Sequence, residues 1–256
     1  MKKIKILIAT HKKYEMPKEK IYLPIHVGAE GKNDLGYQKD NEGENISKKN
    51  SNFCELTGLY WAWKNLKTDY IGMVHYRRYF FEKISNNTEK IITPKRWEEL
   101  LEKYDIILPT KTYVLSKNAY EYYKKYHKIN DLIECGKIIE ELYPDYSESF
   151  NKVINSKSLY HFNMFAMKKK NFDEYAKWLF DILFELEKRI DISKYDNYNK
   201  RVYGFLSERL FNVWIRNHKE FKIKELPVCN IENKLHKEHL INIANRILLK
   251  TTGGNK

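Results

Sequence analysis

The 256-residue chain carries 47 Lys and Arg against 34 Asp and Glu, a net charge of +13, and is 42% apolar. That length excludes two full-sized domains joined by much linker, and apolar residues spread along most of the chain exclude general disorder. The charge suits a nucleic-acid binder, a membrane-surface protein or an enzyme of phosphorylated substrates, and selects none of them.

Lys3 to Thr10 is continuously apolar in its middle, as expected of a strand buried on both faces of a parallel sheet. It lacks a cleavage-type small-residue pattern before His11, so it reads as a first β-strand and not as a signal peptide. Ile21 to Val27 reads as a second strand. The polar stretch Gly28 to Lys49, with Asp34, Asp40, Glu42 and Glu44, reads as a long functional loop. Asn52 and Glu55 have capping-box spacing, and Phe53, Leu56, Tyr60 and Trp63 recur at helical period, predicting a helix to about Asn65. Tyr70 to Val74 is a short apolar run whose carboxyl end delivers His75-Tyr76-Arg77-Arg78-Tyr79-Phe80.

Thr93-Pro94 marks a helix start, with Trp97, Leu100, Leu101 and Tyr104 on its inner stripe, and Asp105 to Pro109 follows as a strand. Residues 117–143 read as helical and include the tyrosine-rich run before His127. Tyr160 to Met167 reads as a strand. Asn171 is the expected cap of a long amphipathic helix, and a further helix is expected over about 198–216. This alternation predicts an α/β fold with a mostly parallel sheet flanked by helices, occupying residues 1–227. Residues 228–256 read as a tail whose Leu240, Ile241, Ile243, Ala244, Ile247 and Leu248 form the stripe of a basic amphipathic helix. Such a helix suits the domain core, a dimer or a membrane surface.

Cys54, Cys135 and Cys229 form no metal-ligand spacing, which fits a reducing compartment and argues against zinc. No stretch approaches the roughly 18 apolar residues that span a bilayer. The expectation is a cytoplasmic protein, able to sit peripherally on the inner face of the plasma membrane.

Ligands of open α/β sheets bind at the carboxyl ends of strands, where His75 to Phe80 emerges. Only eight of the basic residues are Arg, and the only adjacent pair, Arg77 and Arg78, stands at this strand end. Arginine forks hold phosphate oxygens bidentately, and flanking aromatic rings offer faces to a base or a sugar.

The stretch Glu55-Leu-Thr-Gly-Leu-Tyr-Trp-Ala-Trp-Lys-Asn65, followed by Tyr70-Ile-Gly-Met-Val-His-Tyr-Arg-Arg-Tyr-Phe80, resembles the signature of a bacterial capsule and exopolysaccharide glycosyltransferase family. That family has long been catalogued as a domain of unknown function. The resemblance covers roughly residues 3–225 and implies a GT-A-like fold, a UDP-sugar donor and a lipid-linked glycan acceptor. It also implies transfer of a hexose, galactose in pyranose or furanose form, in building capsule, O-antigen or exopolysaccharide. His161-Phe-Asn-Met-Phe-Ala-Met167 is similar to a strand of such enzymes whose Asn lies near the sugar, pointing to Asn163. His11, Asp40, Glu55, Thr57, Trp61, Asn65, His75, Tyr76 and Arg209 are the further residues expected beside the donor.

Enzymes of that fold usually hold a divalent cation on a D-x-D motif. This chain has none, its nearest match being Asp40-Asn41-Glu42. Arg77 and Arg78 are therefore expected to stabilise the leaving diphosphate without metal. Mn2+ or Mg2+ on Asp40, Glu42 and His75 is the alternative. Glu208, or failing that His127, is the expected base for the acceptor hydroxyl. The competing readings are another sugar-phosphate transferase using the same diphosphate site, and a non-catalytic nucleic-acid binder. The latter would require solvent-facing aromatics, whereas those of this chain fall on inner stripes, so no nucleic-acid partner is expected.

Overall fold

The computed structural model describes residues 2–85 and 87–232. Its elements in chain order are β1 (Ile4–Thr10), β2 (Tyr22–His26), β3 (Gln38–Lys39), α1 (Asn50–Phe53), α2 (Leu56–Asn65), β4 (Tyr70–His75) and β5 (Arg78–Phe80). Then come α3 (Pro94–Lys103), β6 (Ile106–Pro109), β7 (Thr112–Tyr113), α4 (Ala119–Tyr126), α5 (Ile129–Leu142), α6 (Ser147–Ile154), β8 (Ser158–Leu159) and β9 (Phe165–Lys168). The last are α7 (Lys169–Arg189), α8 (Val202–Asn217), β10 (Ile223–Leu226) and β11 (Val228–Asn230).

The main row of strands runs β10-β6-β9-β4-β1-β2-β3, in which only β9 is antiparallel to its neighbours. This is the predicted mostly parallel α/β sheet. Its central strands alternate two apolar faces. Leu7 and Ala9 of β1 pack into one core with α2, α5, α7 and α8, whereas Ile4, Ile6 and Ile8 pack into the other against Trp97, Leu100 and Leu101 of α3. Each fully buried Leu or Phe in these layers contributes about 2 kcal/mol, and this double burial is why β1 reads as an unbroken apolar run from Ile6 to Ala9. Register pairs Ile4 with Tyr70 and Ala9 with His75, so β1 and β4 end side by side.

Several local expectations are corrected. Asn52 caps nothing; its Nδ2 donates to the Lys200 carbonyl, and the expected helix divides at Cys54, whose φ is +53°. Asn50 Nδ2 holds that break by donating to the Cys54 carbonyl at 2.7 Å and to Thr57 Oγ1 at 3.1 Å. The helical stretch 117–143 is two helices, α4 and α5, broken at His127–Lys128. The expected strand 160–167 is a strand only from Phe165, in β9, with β8 ending just before it at Leu159. Between them Phe162 and Asn163 have φ of +76° and +51°. α7 starts at Lys169, ahead of the expected cap Asn171. The loop 28–49 is a braced structural segment. Asp40, fully buried, accepts the N–H groups of Gly28 at 2.7 Å and Ala29 at 3.0 Å and the hydroxyl of Ser47. Finally, β11 pairs antiparallel with β5, so residues expected in the tail belong to the sheet, while the expected tail helix at 240–248 lies outside the described residues.

Candidate active site

A cleft of about 530 Å³ opens at the carboxyl ends of β1 and β4, lined by residues from these two strands, from the chain after β2, and from α1, the junction before α2, the β8–β9 turn, the turn before α8 and α8 itself. Adjacent parallel strands leave their last residues, Thr10 and His75, facing one space that the helices on either side cannot fill.

The floor is the Phe162–Asn163 turn. Two consecutive non-glycine residues in the left-handed region cost of order 1–3 kcal/mol each and persist only where surroundings over-determine them. Four side chains do so here. His75 Nε2 donates to the Phe162 carbonyl at 2.7 Å, which assigns the ring proton to Nε2. Glu208 Oε1 accepts the Phe162 N–H at 3.0 Å, and Asn163 Nδ2 donates to Glu55 Oε1 at 2.7 Å and to Ser207 Oγ at 2.8 Å.

Glu208 has both oxygens engaged. Oε2 lies 3.0 Å from Arg209 Nη1 and 3.5 Å from His161 Nδ1. Burial by itself would raise the Glu208 carboxyl, but His161, the Arg209 charge and the Phe162 N–H outweigh it and hold the group at about 2. A carboxylate that acidic is a weak proton acceptor at neutral pH. Both oxygens of Glu208, expected from the sequence to be the base, are thus engaged in clamping the floor.

The upper wall is cationic. Arg77 and Arg78 follow β4, and Arg201 enters from the turn before α8, so the cleft gathers three arginines among the described residues. Arg78 lies over the Phe162 ring at 4.8 Å, Arg77 meets Glu232 at 3.2 Å, and Arg201 Nε donates to Cys54 Sγ at 3.3 Å. Tyr76 packs edge-on to His11 at 5.5 Å. Partial desolvation, then the charges of Lys12, Arg77 and Arg201, lower the pKa of His11, as a field that favours anions would.

The structure thus brings together His11, Glu55, His75, Tyr76, Arg77, Arg78 and Glu208, while Asn163 and Arg209 lie buried directly behind them. It keeps the others apart. Thr57 and Trp61 are buried in α2, and Thr57 Oγ1 supports the Cys54 break. Asn65 bonds the backbone of Glu44 through both amide atoms, and Asp40 serves the loop. His127 lies outside the cleft among Tyr123, Tyr198 and Phe205, where burial, then the Arg209 charge, lowers its pKa to about 4. Gly204 of α8 faces Cys54; a Cβ there would lie 3.1 Å from Cys54 Sγ.

Sequence reasoning missed Asn50, Cys54, Phe162 and Arg201 as cleft residues. Arg201 alone carried a signal, the scarcity of arginine. Among the described residues no group of three or more His, Cys, Asp or Glu is clustered to hold a metal ion. The alternative ligands Asp40 and His75 are both already engaged, the first with the loop backbone and the second with the Phe162 carbonyl.

No curated protein matches the chain. Among solved structures, the apo form of the bifunctional glycosyltransferase WbbM matches with a TM-score of 0.85 and 36% identity over 90% of this chain and 46% of that one. The chain therefore spans about half the length of that protein. Residues 5–220 match the family model described as "Domain of unknown function (DUF4422)", and the chain belongs to that family.

Proposed function

We propose that this protein is a glycosyltransferase that moves a hexose, galactose in pyranose or furanose form, from a UDP-sugar to a growing lipid-linked glycan. The observation that carries the reading is the arginine-lined cleft at the carboxyl ends of β1 and β4, in a fold shared with a glycosyltransferase at 36% identity. Because that relative is bifunctional and the match covers 46% of it, the likeness supports one of its activities. A nucleic-acid role is disfavoured because, of the described tyrosines, only Tyr126 and Tyr198 are strongly exposed, too few for a stacking platform.

In this reading the reaction breaks the anomeric C–O bond and leaves the electron pair on the diphosphate. Arg77 and Arg78 meet that developing charge with planar donor forks, the electrostatic task that a divalent cation performs elsewhere. His11, exposed and packed edge-on to the buried Tyr76, offers a ring face in the cleft. No helix among the described residues is long and apolar enough to cross a membrane. A lipid-linked acceptor is therefore reached by peripheral contact, for which the tail beyond Glu232 is the proposed anchor.

The test is a panel of UDP-sugars screened for protection against thermal unfolding, since a ligand at about 100 times its Kd stabilises the native state by about 2.7 kcal/mol. UDP release with the stabilising donor follows. Removing the critical arginine of the Arg77–Arg78 pair should lower turnover by about 10²–10³-fold, and wild-type turnover should survive excess EDTA. Protection by no UDP-sugar would refute the donor class, and a strict need for added Mn2+ would refute the arginine assignment.

A further inference from the structure

If the cleft is a glycosyl-transfer site, something in it must accept the proton of the attacking hydroxyl. Among the described residues two carboxylates line it, Glu55 and Glu208. Glu208 is excluded by geometry, with Oε1 committed to the Phe162 N–H and Oε2 to Arg209, which is 3% exposed. Glu55 differs. It stands at the N-terminal end of α2, immediately after the left-handed Cys54, and only Oε1 is engaged, by Asn163 Nδ2 at 2.7 Å. Oε2 accepts no hydrogen bond among the described residues, and Glu55 lines the cleft. A single anchored oxygen fixes the orientation of the carboxylate while leaving the other available, which is the arrangement a proton acceptor needs.

The surroundings are built to hold this orientation. Asn163 is itself fixed by Ser207 and by its place in the strained turn. The Cys54 break that aims Glu55 outward is held by Asn50 from one side and by Arg201 on Cys54 Sγ from the other. In all, two left-handed segments, at Cys54 and at Phe162–Asn163, are joined across the cleft floor through the Asn163–Glu55 contact. Storing strain at two points that meet on one carboxylate is more than a structural hydrogen bond requires.

We infer that Glu55 is the catalytic base. Resting on the transferase reading above, the step is balanced as follows. Glu55 Oε2 takes the proton of the acceptor hydroxyl, the acceptor oxygen forms the new bond to the anomeric carbon, and the C–O bond to the diphosphate breaks with its electron pair leaving on the phosphate oxygen beside Arg77 and Arg78. The acceptor is a neutral sugar hydroxyl, which is too weak an acid to attack without such help.

The test compares wild type, Glu55→Gln and Glu55→Ala with the donor that stabilises the wild type. Gln keeps the bond from Asn163 through its carbonyl oxygen and removes only basicity. Turnover should fall by about 10²-fold or more while donor KM and thermal stability stay near wild type. Added formate, a small carboxylate able to occupy the space left in Glu55→Ala, should restore turnover at least about tenfold, which a merely structural role would not allow. Glu55→Gln turnover within about threefold of wild type would overturn the inference while leaving the transferase reading intact. Loss of donor affinity in step with turnover, without formate rescue, would overturn it in favour of donor binding. A wild-type protein that releases no UDP from any donor would instead overturn the transferase reading and this step with it.

Discussion

Replacing Glu208 with Gln tests whether this carboxylate holds the cleft floor together. The folded protein keeps the group at about 2 against an ordinary 4.5, and its side chain is 21% exposed, so solvent screens the pairing only modestly. At about 1.4 kcal/mol for each tenfold change in acidity, the difference corresponds to about 3 kcal/mol in favour of the charged folded form. Gln retains the hydrogen bond from Phe162 N but loses the ionic contact. Arg209 is then left buried, with the Phe205 carbonyl and the Tyr123 ring as its remaining partners. The expected loss at pH 7 is about 2–3 kcal/mol, or a Tm lower by about 4–10 °C for a chain of this size. Urea and thermal melts measure it. Because the folded pKa is depressed, this stability is present above about pH 4.5 and is lost as pH falls toward 2, so the gap between wild type and variant should close across that window. A gap below about 0.5 kcal/mol at pH 7, or one unchanged on acidification, would refute the clamp.

His127, neutral in the fold with a pKa near 4, makes the folded state bind protons later than the unfolded chain, whose histidine titrates near 6.5. Stability should therefore decline as pH falls from 6.5 to 4, and His127→Phe should flatten that decline without changing UDP release; a pH series of melts decides it. Gly28 has φ of +68°, and a Cβ there would lie 2.5 Å from Asn50 Cγ. Gly28→Ala should cost about 1 kcal/mol or more and, by displacing Asn50 at the cleft, weaken UDP-sugar binding in a titration. Truncation after Glu232 should abolish binding to anionic vesicles while leaving donor binding intact, as read by co-sedimentation and thermal shift.

The layout of the fold was legible in the residues themselves. β1, β4 and β6 are apolar runs because both faces of the sheet are covered, and Thr93-Pro94 starts α3 because its hydroxyl accepts the Arg96 N–H while proline needs no donor there. The position of Arg77 and Arg78 at a strand end was legible for the same reason. Burial patterns are local and repeat with the period of the element. What the tertiary structure alone decided is which polar groups meet. Glu55 and Asn163 are 108 residues apart, Glu208 and Phe162 are 46 apart, and Asp40 faces inward because the Gly28 and Ala29 N–H groups lie there. The left-handed conformations of Cys54 and Phe162 have no signal in residues that rarely adopt them. They form because distant side chains compensate for the strain, and that compensation exists only once the sheet has brought the ends of β1 and β4 beside α2 and α8.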